Sequence, residues 1–502
     1  MDDDDPIATG LDPSCVLPAR IAHWAEAQPS RPFLAEVDGP ECSFGETRDG
    51  MLRWASLLRA RGVRAGDRVV SFLPPSIAAH LLWLGAACIG ALEVGVNPEL
   101  RGALLDHVLG DASPVLCVGL AEHASLAPAG TPFVEATGPV PDVAPMAPPA
   151  WPGPTDAACV IYTSGTTGPA KGVVLPWAQL SATIGRIPRS SLGADDAVYA
   201  PWPMFHVTGR TPLPAMADVG GRVVLRARPS VGRFWPDMVR YGCTSTTFGA
   251  LAALLLDEDA PAGHRVRWVF MAPRGELSLR VQNKFGVQVL ANYGSTEVGF
   301  PILNRRFGPA TADVSGWPRD GYLVRIVREG RDVADGEPGE MWIGARDRRV
   351  MFSGYLGRDG DPMEDGWFRT GDIVTRRADG GIVFVDRMRD IIRRFGENIS
   401  SLAVESVVAT DPDVTDCAAL ASPSDICGEE VLLVVSPSTV GPEALFERLA
   451  ARLPRYALPA YIAVRDALPK TPTGKVAKHE LAVSAADDGV WQTPAAASRH
   501  RR

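Results

Sequence analysis

Between residues 66 and 165 one pattern recurs: a short apolar run opens after a turn, a longer stretch with helical spacing follows, and another apolar run closes the unit. "GDRVVSFL", "SPVLCVGL" and "AACVIYTSG" are such runs. They are too short for helices and apolar throughout, as strands covered on both faces are. Ahead of the first, "FGETRDGMLRWASLLRARG" places Met51, Leu52, Ala55, Leu57 and Leu58 on one helical stripe that stops at Gly62. The stretch "HLLWLGAACIGALEVGV" reads as the next helix. Alternation of this kind predicts an α/β sheet with helices on its faces.

From Pro128 to Pro154 the chain turns rich in proline, glycine and alanine, a long surface connection, because the strand that follows needs sheet partners. The texture changes near Ser315. "GYLVRIVREGRDVADGEPGEMWIG" alternates apolar and polar residues around Asp-Gly and Pro-Gly turns, as half-buried antiparallel strands do. Just past Arg387 a smaller region begins with its own strands, "VTDCAALASP", "EEVLLVVSP" and "AYIAV", and a helix, "GPEALFERLAARL". A chain of 502 residues exceeds one ordinary core, so at least two domains are expected.

A net charge of −9, with no basic stripe, argues against a nucleic-acid binder. The eight cysteines are scattered without a C-x-x-C pair, so they read as reduced, mostly buried thiols. The start "MDDDDPIATG" is acidic where a signal peptide is basic and then apolar, and "LLWLGAACIGAL" is too short to span a bilayer. A cytoplasmic protein without a membrane partner is expected.

One loop carries the functional argument. "TSGTTGPAKG", Thr163 to Gly172, joins two apolar runs and combines hydroxyls, glycines and one lysine, the materials of a phosphate cradle. It is not a Walker loop, which needs Gly-Lys-Ser/Thr opening a helix, because Gly172 and the apolar "VVL" follow Lys171. With "PMFHVTG" (203–209), "NYGSTEVG" (292–299), "GWFRTGD" (366–372), "DRMRDIIRRFGENIS" (386–400) and "PKTPTGKVAK" (469–478), the sequence resembles the adenylate-forming superfamily over nearly its whole length. It is most similar to stand-alone acid-CoA ligases of the crotonobetaine/carnitine type and to the related amide bond synthetases.

The resemblance implies a large N-terminal adenylation domain of α/β sheets with a β-rich subdomain (1–386), a hinge (387–389), a small mobile C-terminal α+β lid (390–485) and a disordered tail (486–502). It also implies the chemistry. A carboxylate is a poor electrophile; transfer of AMP from ATP gives its acyl carbon a good leaving group. Charge builds on phosphoryl oxygens in the transition state, which calls for donors, a cation and a metal. By resemblance, Thr163, Ser164, Gly165, Thr166, Thr167, Gly168 and Lys171 hold the β- and γ-phosphates, Thr296 donates to the α-phosphate and Glu297 binds Mg²⁺. The resemblance also places Ala272, Pro273, Asn292, Tyr293 and Gly294 at the nucleotide, with Tyr293 stacked on adenine, and has Asp372 accept from the ribose hydroxyls and Arg387 reach the same sugar or the phosphate. Lys475 is the adenylation lysine and Arg389 the pivot, where relatives more often have lysine or aspartate. Gly396, Glu397 and Asn398 would flank the acceptor tunnel, and Lys470 and Lys478 are read as surface charges.

The acyl pocket is expected at His206, Val207, Phe248, Gly249 and Asn292. Enzymes of this superfamily that activate amino acids typically place aspartate at the position of His206, so an aryl or short acyl acid without an α-ammonium group is favoured. CoA is the expected acceptor, with a free amine as the alternative; Ala457 and "LPWAQL" depart from the CoA-ligase pattern, and a neutral His206 would suit an amine's proton. A monomer or homodimer is expected.

Overall fold

The computed structural model describes residues 6–163, 170–187, 191–248, 251–271, 275–388, 390–394, 397–424, 428–438, 440–471 and 474–493. The chain divides into two compact units, residues 1–324 with 343–369, and residues 325–342 with 370–502.

The first unit is built on two sheets among the described residues. In one, Pro32–Glu36, Arg222–Leu225, Ala197–Ala200, Ser245–Thr247, Trp268–Met271 and Gln288–Ser295 run parallel in that spatial order. The antiparallel strand Gly299–Asn304 follows. In the other, Phe133–Glu135, Leu116–Gly119, Arg68–Ser71, Leu92–Gly95 and Ala157–Thr163 are parallel. Lys171–Pro176 and then Gly354–Tyr355 extend it antiparallel. Each sheet therefore passes from parallel strands into a hairpin, and each hairpin turns at the carboxyl end of its last parallel strand, the edge where open α/β sheets receive ligands.

The helix Phe44–Ala60 buries Met51, Leu52, Ala55 and Leu58, as its stripe predicts, and leaves Leu57 half-buried. Ser43 caps it: its Oγ accepts from the Glu46 amide at 3.2 Å while the Glu46 carboxylate accepts from the Ser43 amide at 2.8 Å. The expected helix over 80–96 is shorter. It runs Ile77–Cys88, Gly90 turns the chain at φ +73°, and Leu92–Gly95 is a strand. The apolar run conceals that break, because helix and strand are both fully covered. Every residue of Ile77–Cys88 is buried, as expected for a helix apolar all round, and it contacts strands of both sheets. The connection 128–154 is irregular apart from the strand Phe133–Glu135.

The second unit takes in most of a five-stranded sheet, in which Tyr322–Arg328 pairs with Arg331–Asp332 and Phe368–Arg376 with Ile382–Arg387, both antiparallel. Compactness thus groups most of this sheet with the C-terminal residues. Beyond it, Gly428–Ser438 is flanked by Val414–Ser424, antiparallel, and Tyr461–Val464, parallel. Val431, Leu433 and Val435 enter one apolar cluster with the helix Pro442–Ala450, and Leu432 and Val434 enter another, so this strand is covered on both faces.

Candidate active site

In the first unit the mouth of the hydroxyl-rich loop is a closed strand pair, with Thr163 opposite Lys171. Two residues further along that strand, Val173 pairs with Tyr355, which brings the phenol ring beneath the Lys171 ammonium, 5.2 Å from the ring centroid. Tyr355 in turn donates its hydroxyl to Glu297 Oε1 at 3.4 Å, and Ser295 Oγ donates to Glu297 Oε2 at 3.0 Å. Burial first, and then the Glu297 carboxylate, raise the Tyr355 phenol above its ordinary range, so it stays a donor. The backbone fixes this carboxylate from behind. Phe352 N donates to Glu297 O at 3.0 Å, and the buried Gln179 amide donates to Thr296 O at 2.7 Å.

The turn before it needs its glycines. A Cβ on Gly294 would lie 2.1 Å from the Gly299 carbonyl oxygen, and Gly299 itself has φ +67°. Tyr293 lies opposite Ile302, and Asn292 donates to Leu290 O at 3.4 Å; both are half-buried.

His206 precedes the helical turn Val207–Arg210 and is largely enclosed beside the Phe205 ring. Burial pushes its imidazole down to about 4, and Nε2 has no partner among the described residues. A network beneath the turn holds it in place. Arg210, fully buried, donates from Nε to Met204 O at 2.8 Å, pairs with Glu93 at 2.5 Å and lies 4.9 Å from the Trp83 ring. Phe248 is 4% exposed and packs in the apolar cluster of Tyr199 and Phe234, so core packing accounts for its side chain.

In the second unit Asp372 and Arg387 are brought together. They are register partners on adjacent strands, with Arg387 Nε 2.7 Å from the buried Asp372 Oδ1. Lys475 stands exposed at the end of a tight turn: Thr471 N donates to its carbonyl at 2.7 Å, its own N donates to Thr471 Oγ1 at 3.1 Å, and Gly474 has φ +77°. Lys478 is not the surface charge expected. Its Nζ lies 2.7 Å from Glu405 Oε1 and donates to Ser401 Oγ at 2.6 Å, with Asp390 at 4.0 Å, because the turn folds it against the helix Ser401–Val408. Lys470 pairs with Asp416. Glu397 and Asn398 lie on a strand opposite Arg394 and Arg393. Ser164, Gly165, Thr166, Thr167, Gly168, Gly249, Ala272, Pro273, Arg389 and Gly396 lie outside the described residues.

Sequence reasoning missed Tyr355, Ser295, Gln179 and the Glu93–Arg210 pair. It also missed Asp386, whose Oδ2 accepts from Ser401 Oγ at 2.8 Å and from Leu402 N at 3.2 Å. Among the described residues no helix is long and apolar enough to cross a membrane, no cluster of three acidic, histidine or cysteine side chains could hold a metal, and the cysteines are free.

A carboxylate set at the carboxyl edge of a parallel sheet, beside the mouth of a glycine- and hydroxyl-rich loop, defines a nucleotide-handling α/β protein. The AMP-binding enzyme model matches residues 21–356, and the model of the AMP-binding enzyme C-terminal domain matches 403–475. The chain belongs to the AMP-binding enzyme family. It is 29% identical to a sulfoacetate–CoA ligase of Cupriavidus necator over 93% of this chain and 97% of the relative. It is 31% identical to a feruloyl-CoA synthase of an Amycolatopsis species (88% and 94%). A crotonobetaine/carnitine–CoA ligase of Salmonella arizonae is 28% identical (88% and 92%). The fold matches that of o-succinylbenzoate CoA synthetase from Bacillus subtilis, solved with its acyl-adenylate intermediate, at TM-score 0.84 and 22% identity over 93% of this chain and 98% of that one.

Proposed function

We propose that the protein is an ATP-dependent, AMP-forming ligase that joins a small carboxylic acid, aryl or short acyl, to CoA. The acid's oxygen attacks the α-phosphorus of ATP and pyrophosphate leaves; the thiol of CoA then attacks the acyl carbon of the adenylate, forming the thioester and releasing AMP. One observation carries the reading: the loop mouth at Thr163 and Lys171 and the carboxylate of Glu297 meet through Tyr355. The names of the relatives, acid–CoA ligases of several kinds, support CoA as the acceptor.

Each Glu297 oxygen accepts one hydroxyl and keeps a lone pair, a hard donor set that fits Mg²⁺ carried by ATP phosphates. Bound there, the ion would neutralise phosphate charge as pyrophosphate departs. Residues 163–171 would hold the β- and γ-phosphates, Thr296 the α-phosphate, and the Asp372–Arg387 pair the ribose, with Tyr293 against adenine. Lys475 would bridge the carboxylate and α-phosphate as they approach. Rotation of the C-terminal residues about 387–389 would then withdraw the lysine and bring 396–398 to the acceptor path. We read the enzyme as cytoplasmic, a monomer or homodimer.

A free amine is the second reading: His206 carries an Nε2 with no partner among the described residues, which an incoming amine would meet as an acceptor, while burial leaves the imidazole too weak a base to keep the amine's proton, so that proton must pass on to solvent or phosphate. The test is one incubation with ATP, Mg²⁺ and an acid panel, followed by CoA or a primary amine. Acid-dependent pyrophosphate and a thioester are expected. Amide formed faster than from free acyl-adenylate, with no thioester, would establish the amine reading, and absence of acid-dependent pyrophosphate would overturn both.

A further inference from the structure

Buried arginines ordinarily carry a carboxylate, as Arg210 carries Glu93. Arg186 does not. It ends the short helical turn Ile184–Arg186 and is 6% exposed, with its guanidinium carbon 4.5 Å from the centroids of both Phe270 and Phe300. Its Nε is enclosed without an acceptor, and among the described residues it has no hydrogen-bond or ion-pair partner. Its neighbours add charge of the same sign: Arg319 donates to Ala182 O and Phe300 O, and Arg305 donates to Gly185 O. Burial, reinforced by Arg319, pushes the guanidinium down to about 9. Two phenyl faces attract a cation but accept none of its in-plane N–H groups, and Nε–H is buried without an acceptor among the described residues.

The location bears on substrate. Phe270 is in register with Leu290 on the parallel neighbour, so Asn292, two residues on, shares their face of the sheet. The carbonyl of Phe270 accepts from Phe248 N at 2.7 Å. Phe300 follows Gly299, the partner of Ser295, and its ring lies 2.9 Å from where a Gly294 Cβ would be. Both rings that hold Arg186 therefore adjoin backbone assigned above to the acid and the adenylate.

We propose that Arg186 anchors a second anionic group on the acid, so that the preferred substrates carry a carboxylate or sulfonate in addition to the carboxylate that is adenylated. This rests on the ligase reading and narrows its substrate class. A guanidinium suits the task better than an ammonium, because its planar fork meets two oxygens of one oxyanion and stacks between rings.

The test uses the full chain, ATP and Mg²⁺, with matched acids: terephthalate against its monoamide, and succinate against succinamate. Pyrophosphate release should favour the dianion in kcat/KM by roughly 10- to 100-fold, the range of a charge-assisted hydrogen bond. Arg186→Met should erase that preference by raising KM for the dianion at least tenfold more than KM for the monoamide, whose amide oxygen accepts only a weaker hydrogen bond, and Arg186→Lys should keep part of it. A second readout needs no turnover: the dianions should raise Tm of the wild type and not of Arg186→Met. Equal use of both acids by the wild type, a preference that survives Arg186→Met, or equal loss on both acids would overturn the anchor while adenylation persists. No pyrophosphate with any acid would overturn the ligase reading instead, and the dianion-dependent Tm shift would still decide for or against Arg186.

Discussion

Glu93→Ala removes the partner of a guanidinium that has no exposed surface. The Arg210 charge would keep its hydrogen bond to Met204 O and its contact with Trp83. Breaking a buried pair from one side costs about 3–5 kcal/mol, and since both remaining contacts are already made in the wild type they offset none of it, so a loss in that range is expected. The intact pair is itself incompletely satisfied, since Glu93 Oε1 and Arg210 Nη1 are buried without partners among the described residues. Removing both charges with Glu93→Leu and Arg210→Met relieves those two groups, each worth about 1–3 kcal/mol, and the double variant should lie within about 1 kcal/mol of wild type. Urea titration followed by tryptophan fluorescence reads this directly, because Trp83 stacks on Trp177 at 5.3 Å beside the pair. The single variant should also raise KM for the acid more than KM for ATP, since the pair anchors the segment bearing His206 and Val207. A single variant that loses under about 1 kcal/mol, or a double variant as unstable as the single, would refute the reasoning.

Burial holds both His80 and His206 at about 4, below the ordinary histidine value of about 6.5, so each folds neutral and must charge on unfolding in acid. Their contribution is fully present above pH 6.5 and is lost as pH falls toward 4, roughly 2 kcal/mol per histidine by pH 5; His80→Gln should flatten the stability profile between pH 7.5 and 5, and an unchanged slope would count against it. Lys478→Met leaves the half-buried Glu405 without its cation and should cost about 1–3 kcal/mol in denaturation of the full chain, against a few tenths for Lys470→Met at an exposed pair.

The sheets were legible wherever apolar runs were bounded by turns: Arg68–Ser71, Leu116–Gly119 and Ala157–Thr163 lie where the pattern put them. The strand Leu92–Gly95 was not, because a run that is apolar on every side has no period to betray the break at Gly90. The candidate site was legible in its motifs and illegible in its supports. Tyr355 reaches Glu297 across 58 residues and Arg210 reaches Glu93 across 117, and no local spacing encodes a partner at that distance. Lys478 failed for the same reason: a lysine three residues past a Gly-Lys turn reads as solvated until the helix at Ser401 is folded against it. Arg186 gave no signal at all, since its lack of a partner exists only in three dimensions.

The central claim is that an exposed lysine after a tight turn stabilises the encounter of an acid with the α-phosphorus of ATP. Exchange of labelled pyrophosphate into ATP isolates that half-reaction, with no acceptor present. Wild type should exchange only when a suitable acid is added, and Lys475→Ala should lower the rate by roughly 10²- to 10³-fold, as removal of one transition-state donor does, with ATP affinity changed less than threefold. Exchange that needs no acid, or that Lys475→Ala leaves intact, would contradict the account.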